Sequence, residues 1–568
     1  MVVAKRLEYP RHPMQTQIDG LKQIDIVKIF SDKRCLIIDD FPEIRGSLTR
    51  ALKGFGAKAV DTAADGEEAI KLCSNKKFDI VICDYNLGSG KDGQQVLEEV
   101  RYLRVLMMTS LFVMITGEQS REMVLGALEC QPDDYITKPY TQASLKLRLN
   151  KAVVRHEALL HIKKCISDGD YRKALEYCNQ MLKEGTRYAT AVIKIKGQLH
   201  FLLKQLIEAK SVYEKVLSNK PVVWAKLGLG KTLIGMGKLD SAEDVLKEVV
   251  DEDERYVEAH DMLADIYEQK KDFIAAQNAV EVATHVSPKS TLRHRKLAKL
   301  AEHNNSDDLA LKSYQQSIKW GLNSVHESEQ DYFDYARKVA NITSGNNNAE
   351  AKVMMKQAST FLDRARKRYA SREDVAVQAQ MVETQLHIAS GDEAKACSSL
   401  QKSKEMYNQL AAPPVETSLE FARTLHAGDD EKSARELLSN LAVRYENNPE
   451  IMQIIDSITS EPISDAGKSA ATQLTKEGIS SYENKDFEQA IGVFTEALAA
   501  YPNHVGLNLN LIQAVCSATD KVGFTDKNEA LVKRSLRVVG NLPDDHNQRK
   551  RYDFLHKQIE KFFPDLVA

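Results

Sequence analysis

The chain has 568 residues, which at roughly 100–200 residues per domain calls for several units. Lys plus Arg number 78 and Asp plus Glu 81, a formal charge of −3, which argues against a broad basic face for nucleic acid or anionic lipid. With 43% hydrophobic and 28% charged residues, and only 14 Pro and 27 Gly, the composition is that of a folded and largely helical protein.

Residues 1–30 form an extension. Its opening, MVVAKRLEYPRHPMQ, puts Arg6, Glu8, Arg11 and His12 where an exported protein carries its apolar core. Nowhere does an apolar run approach the ~20 residues of a membrane helix, so no membrane is expected as a partner. Ile18–Phe30 reads as a short amphipathic helix that packs beside the first domain or caps a dimer. The eight Cys (35, 73, 83, 130, 165, 178, 397 and 516) are scattered, with neither a CxxC pair nor zinc spacing. A cytoplasmic location follows as the expectation.

From residue 31 to 154 short apolar runs alternate with amphipathic segments. Cys35-Leu36-Ile37-Ile38 ends in Asp39-Asp40, Ile80-Val81-Ile82-Cys83 in Asp84, and Leu111-Phe112-Val113-Met114-Ile115 in Thr116-Gly117. Apolar runs of this length bounded by polar turns are the pattern of parallel strands buried on both faces. Helical stretches such as Glu67–Leu72 lie between them, so the segment reads as one doubly wound α/β domain.

In such a sheet, ligands bind beyond the carboxyl ends of the strands. Asp39, Asp40, Asp84, Thr116 and Lys138 all fall on that edge. Three carboxylates brought together repel unless a cation neutralises them, and a hard divalent ion such as Mg²⁺ suits oxygen ligands while keeping open positions. Asp84 then becomes a nucleophile for phosphoryl transfer, with Lys138 and the Thr116 hydroxyl holding the incoming oxygens.

These residues resemble the flavodoxin-like receiver domain of two-component response regulators. The resemblance implies that Asp84 is the phosphoacceptor and that Asp39-Asp40 is the metal pair. Asp40 and Asp84 would ligate Mg²⁺ directly together with the backbone carbonyl of Asn86, and Asp39 through water. Thr116 and Lys138 match the switch hydroxyl and the lysine, Tyr135 the rotating aromatic, and Lys138-Pro139 a cis peptide bond. One departure stands out: the loop Tyr85-Asn86-Leu87-Gly88-Ser89-Gly90-Lys91-Asp92-Gly93 has three glycines where that family usually places a proline, which predicts a flexible lip.

The second half repeats. Ala174, Ala209, Ala242, Ala276 and Ala310 each follow a short turn, at separations close to 34 residues, with Gly197, Gly230 and Ala264 in step before it. The register returns at Gly478, Phe487, Ala490, Phe494, Ala497 and Pro502. This resembles the tetratricopeptide repeat (TPR), a helical hairpin in which small residues permit close helix approach. The expected layout is an extension at 1–30, a receiver at 31–154, repeats at 155–322, divergent hairpins at 323–460, and a last repeat with closing helices at 466–568.

Two motifs in this half read as decoys. Ala225-Lys226-Leu227-Gly228-Leu229-Gly230-Lys231-Thr232 ends like a phosphate-binding loop but lacks the leading Gly and the preceding strand. Glu-Ala-Leu triplets at Glu157, Glu496 and Glu529 are ordinary helix formers. The basic clusters Arg364–Arg368 and Arg549–Arg551 read as solvated helix faces.

The resulting expectation is a response regulator, not an enzyme with a substrate of its own, phosphorylated by a sensor histidine kinase or phosphotransfer protein. Its output would be an unidentified protein bound in the TPR groove, with self-pairing of the receivers as a further mode. The alternative is a phosphate sink that drains a shared kinase. A transcriptional regulator is less favoured, because the near-neutral charge gives no sign of nucleic-acid binding.

Overall fold

A computed structural model describes residues 30–117, 132–346, 348–523, 525–540 and 542–566. The helix expected over 18–30 lies outside the described residues except for Phe30, and so does Cys130. None of the described cysteines is bonded to another.

Five strands form one parallel sheet: β1 (Arg34–Ile38), β2 (Ala59–Ala63), β3 (Ile80–Asp84), β4 (Leu111–Thr116) and β5 (Asp134–Thr137), in the order β2-β1-β3-β4-β5. Alternation along the central strands sends side chains to two cores. Cys35, Ile37, Ile80, Ile82, Val113 and Ile115 face one core, where α1 (Pro42–Gly54) contributes Leu48 and Leu52 and α4 (Gln142–Ser167) contributes Leu145, Leu149 and Val153. Leu36, Ile38, Val81, Cys83, Phe112 and Met114 face the other, covered by Ala69 and Cys73 of α2 (Gly66–Asn75) and by Val96, Leu97 and Val100 of α3 (Gly93–Tyr102). This is the flavodoxin-like receiver fold. β2 was not visible as an apolar run, because it is an edge strand carrying Asp61 and Thr62.

Helix starts follow local chemistry. Asp65 caps α2 through Glu68 N–H, Asp92 and Gln95 form a reciprocal box at α3, and Thr141 and Ser144 do the same at α4. α4 has no break: it runs 26 residues, through the boundary expected at 154/155.

The rest of the described chain is helical. α5 (Tyr171–Glu184), α6 (Ala189–Leu202), α7 (Leu206–Leu217), α8 (Val223–Gly235), α9 (Leu239–Glu252), α10 (Val257–Gln269) and α11 (Phe273–Val286) build antiparallel hairpins of a TPR-like solenoid. Ala174, Ala209, Ala242 and Ala276 are fully buried at the points of closest approach. A Cβ on Gly197 or Gly228 would meet the Tyr213 ring at 2.6 or 2.4 Å, so glycine there makes room for an aromatic. The repeated turns need a left-handed residue, supplied by Gly169 and Gly237 in two of them and by Lys204 and Lys271 in the others.

The chain divides into two compact units, one containing residues up to Ser290 with Trp320–Glu327, the other Thr291–Lys319 with Ser328–Ala568. In the second, helices starting at Glu329, Glu373 and Val415 are spaced more widely than the repeats before them, since several are longer: Ala349–Arg368 has 20 residues, Glu373–Ala389 and Glu393–Gln409 17 each. Hydroxyls and amides share their contacts with buried alanines such as Ala379 and Ala434: Thr384 Oγ1 bonds Ser399 and Ser403, Gln380 donates to Ser399, and Gln378 to Thr417. Both changes explain why the period fades there. The 34-residue pattern returns at Asp465–Glu483 and Phe487–Ala500, where a Cβ on Gly478 would meet Phe494 at 2.3 Å.

Candidate phosphoacceptor site

Each candidate residue sits at a strand's carboxyl end. Asp39 and Asp40 follow β1, Asp84 ends β3, Thr116 ends β4, and Lys138 follows β5. The Asp39, Asp40 and Asp84 carboxylates each offer an oxygen within 4.8 Å of the others. Asp39, Asp84 and Thr116 are nearly closed to solvent, at 2%, 6% and 1% exposure, so these charges interact without much screening by water.

Neighbouring backbone and side chains fix the geometry. Asp39 Oδ1 accepts the Phe41 N–H at 2.9 Å, and its carbonyl accepts Arg45 Nη1 at 2.6 Å. Asp84 Oδ1 accepts the Tyr85 N–H at 2.9 Å, leaving Oδ2 to Lys138 Nζ at 2.9 Å. The same ammonium lies 3.5 Å from Asp39 Oδ2. Lys138 is itself held by its N–H on the Thr116 carbonyl at 2.6 Å, and its bond to Pro139 is cis. Burial pushes the Asp84 carboxyl above its ordinary value, against the bond from Lys138 and its charge. For Lys138 the downward pull of burial is outweighed by the bond and charge of Asp84, then by Asp39, so its ammonium is held more firmly.

One lysine does not balance three carboxylates, and Asp40 Oδ1 is buried with no hydrogen-bond partner. A hard cation with oxygen ligands fits that orphan atom and that excess charge. Asn86 is exposed on the loop past Asp84, and Tyr135 is half-buried against the Leu36, Ile38 and Phe112 side of the sheet.

The lip after Asp84 is more braced than its glycines suggest. Gly88 and Gly90 do take left-handed conformations, φ 75° and 105°. Gly93, however, starts α3 so close to β3 that a Cβ would lie 2.2 Å from the Asp84 carbonyl oxygen. Lys91 Nζ donates to the Asn323 carbonyl at 2.6 Å and pairs with Glu99 at 3.1 Å. Lys289 Nζ donates to the Tyr85 hydroxyl at 2.9 Å and to Asp92 Oδ2 at 3.0 Å. Nothing in the sequence pattern singles out Lys289, which is a polar turn residue 204 positions from its tyrosine.

The decoys resolve as structure. Gly228–Thr232 lies inside α8, Lys226 pairs with Glu248 and Glu252, and Thr232 bonds the Gly228 carbonyl. No loop is free there to cradle phosphate. In the basic clusters, Arg366 pairs with Asp363 and Glu383, and Arg549 with Asp544 and Asp553.

A parallel sheet that brings Asp39, Asp40, Asp84 and Lys138 together at one rim, with Thr116 at the end of the neighbouring strand, has the layout of a receiver domain. The family model for the response regulator receiver domain matches residues 35–150. Chemotaxis protein CheY-3 of Vibrio cholerae is 34% identical over 128 residues, covering 22% of this chain and 92% of that protein. The chain belongs to the response regulator receiver family, with a long helical array following the receiver. The alkaline phosphatase synthesis transcriptional regulatory protein PhoP of Bacillus subtilis is 31% identical over 128 residues, 22% of this chain and 51% of that regulator. A solved CheY-like receiver from Methanospirillum hungatei aligns at 28% identity with TM-score 0.20, over 22% of this chain and 96% of that one. Among the described residues no helix is long and apolar enough to cross a membrane.

Proposed function

We propose that this response regulator accepts a phosphoryl group on Asp84 and uses its phosphorylation state to control which protein its helical array binds. The observation that carries the reading is the placement of Asp84 Oδ2 on Lys138 beside the unpartnered Asp40 Oδ1. A phosphohistidine on a sensor kinase or phosphotransfer protein is the donor. Its N–P bond breaks as an Asp84 oxygen bonds phosphorus, and the electron pair returns to the imidazole nitrogen, which then takes a proton. Lys138 and the Thr116 hydroxyl hold the transferred oxygens, and Tyr135 follows the hydroxyl inward to remodel that face. Asp40, Asp84 and the Asn86 backbone carbonyl would hold Mg²⁺ directly and Asp39 through water, and the ion would supply neutralising charge to the phosphoryl oxygens. The chemistry is confined to loading and unloading Asp84.

The layout proposed is a receiver at 31–154, repeats at 155–322, divergent hairpins at 323–460 and a closing repeat at 466–568, working in the cytoplasm. Repeat arrays commonly present extended surfaces to other proteins, and that supports protein binding as the output. The test is phosphoryl uptake from a small phosphoramidate donor. The parent chain should become labelled and Asp84→Asn should not; equal labelling of both would refute the assignment.

A further inference from the structure

Tyr85, one residue past the phosphoacceptor, is 4% exposed in the receiver core, and its hydroxyl accepts a hydrogen bond from the repeat array. Lys289, in the turn after α11, donates to the Tyr85 hydroxyl and to Asp92 and lies over the Tyr85 ring at 4.9 Å. The same ammonium sits 5.6 Å over the Trp320 ring. Around it, Lys91 and Gln95 donate to the carbonyls of Asn323 and Leu322, and the Tyr102 ring meets His326 edge-on at 6.5 Å. Lys289 is 16% exposed and Asp92 25%, so the pair is partly desolvated.

We infer that Lys289 and Trp320–Glu327 form a docking surface for the chain's own phosphoacceptor loop, Tyr85–Gln95, and that loading of Asp84 opens it. This rests on the phosphoacceptor reading of Asp84. Both carboxylate oxygens of Asp84 are engaged, Oδ1 by the Tyr85 N–H and Oδ2 by Lys138. An acyl phosphate takes the carboxylate charge from Asp84, so the Tyr85 N–H is left facing a neutral oxygen while Lys138 turns to the phosphoryl oxygens. The Tyr85 backbone also carries the Gly93 N–H, so a shift at Tyr85 reaches Asp92, the other anchor of Lys289. Whatever holds Tyr85–Gly93 in its present position therefore opposes loading, and by linkage loading opposes the docked state by the same factor.

The experiment uses the full chain with Trp224→Phe, which leaves Trp320 as its remaining tryptophan. Mg²⁺ with beryllofluoride is titrated into this background and into the same chain with Lys289→Met, while hydrogen exchange is read at 322–327. The expected result is binding several-fold tighter in Lys289→Met, a Trp320 emission change in the background protein, and faster exchange at 322–327 when the mimic is bound. Equal or weaker binding in Lys289→Met, with Trp320 and 322–327 insensitive to the mimic, overturns the docking surface and leaves the receiver reading standing. Failure of the mimic to bind either chain overturns the phosphoacceptor reading itself. Matching exchange across α4–α11 in the two chains verifies that Lys289→Met is folded.

Discussion

Lys163 Nζ donates to His156 Nδ1 at 3.1 Å while His156 Nε2 meets the Thr109 carbonyl at 2.8 Å, so the imidazole is neutral with its proton on Nε2. Burial and the Lys163 charge hold His156 below its ordinary value of 6.5, against Asp133 and Glu157. The unfolded chain takes up this proton at higher pH than the folded one. The contribution to stability is thus complete above about pH 6.5 and is lost as pH falls through the lowered folded value. The unfolding midpoint of the parent chain should drop more between pH 7.5 and 5.5 than that of His156→Gln, which can keep the bond to Thr109. Parallel curves would show that His156 titrates normally.

Lys138 occupies Asp84 Oδ2 and lies beside Asp39, where a divalent cation would also bind, so removing its charge should have opposite effects on the metal and on phosphate. Calorimetric titration of Lys138→Met is expected to show Mg²⁺ bound several-fold more tightly and beryllofluoride at least tenfold more weakly. Asp40→Ala should weaken Mg²⁺ tenfold or more. Asp61→Ala, which loses only an exposed pair with Lys76, should change neither.

The glycines beside Tyr213 should be sensitive to one carbon. Gly228→Ala forces its Cβ against that ring and is expected to cost about 1–3 kcal/mol in urea unfolding. Tyr213→Leu in the same chain should restore part of the loss, which a general helix-propensity effect would not predict.

Glu420 is 1% exposed and receives both Arg337 and Arg423. Its carboxyl is held below the ordinary range, with burial opposed first by the Arg337 charge and then by that of Arg423. Glu420→Ala should cost about 1–3 kcal/mol, because it removes the charged bonds to Arg337 and Arg423 while Arg337 keeps its pair with Asp334. Adding Arg337→Met should return part of that, as a double-mutant cycle would measure.

Asp39, Asp40, Asp84 and Thr116 were legible because they end apolar runs such as Ile80–Cys83, whereas Lys138 follows the mixed strand Asp134–Thr137 and was legible only through the resemblance. The repeats were legible where Ala and Gly mark close helix approach, as at Ala242, or at Gly478 beneath Phe494. β2 escaped because an edge strand tolerates Asp61 and Thr62, which break the apolar signal. Beyond residue 329 the period blurred because longer helices widen the spacing, and because polar residues such as Ser399 and Ser403, bonded to Thr384, take core positions. Lys289 escaped for a different reason. Its partners Tyr85 and Asp92 are brought to it by the winding of the repeats, which no local periodicity encodes.

The unbroken helix Gln142–Ser167 spans roughly 39 Å at 1.5 Å per residue. Its first turns pack on the sheet through Leu145 and Leu149, and its last ones seat Ile162 and Cys165 in the first hairpin. With no linker between them, a roll imposed at the sheet end has a continuous hydrogen-bonded rod through which to reach the first hairpin.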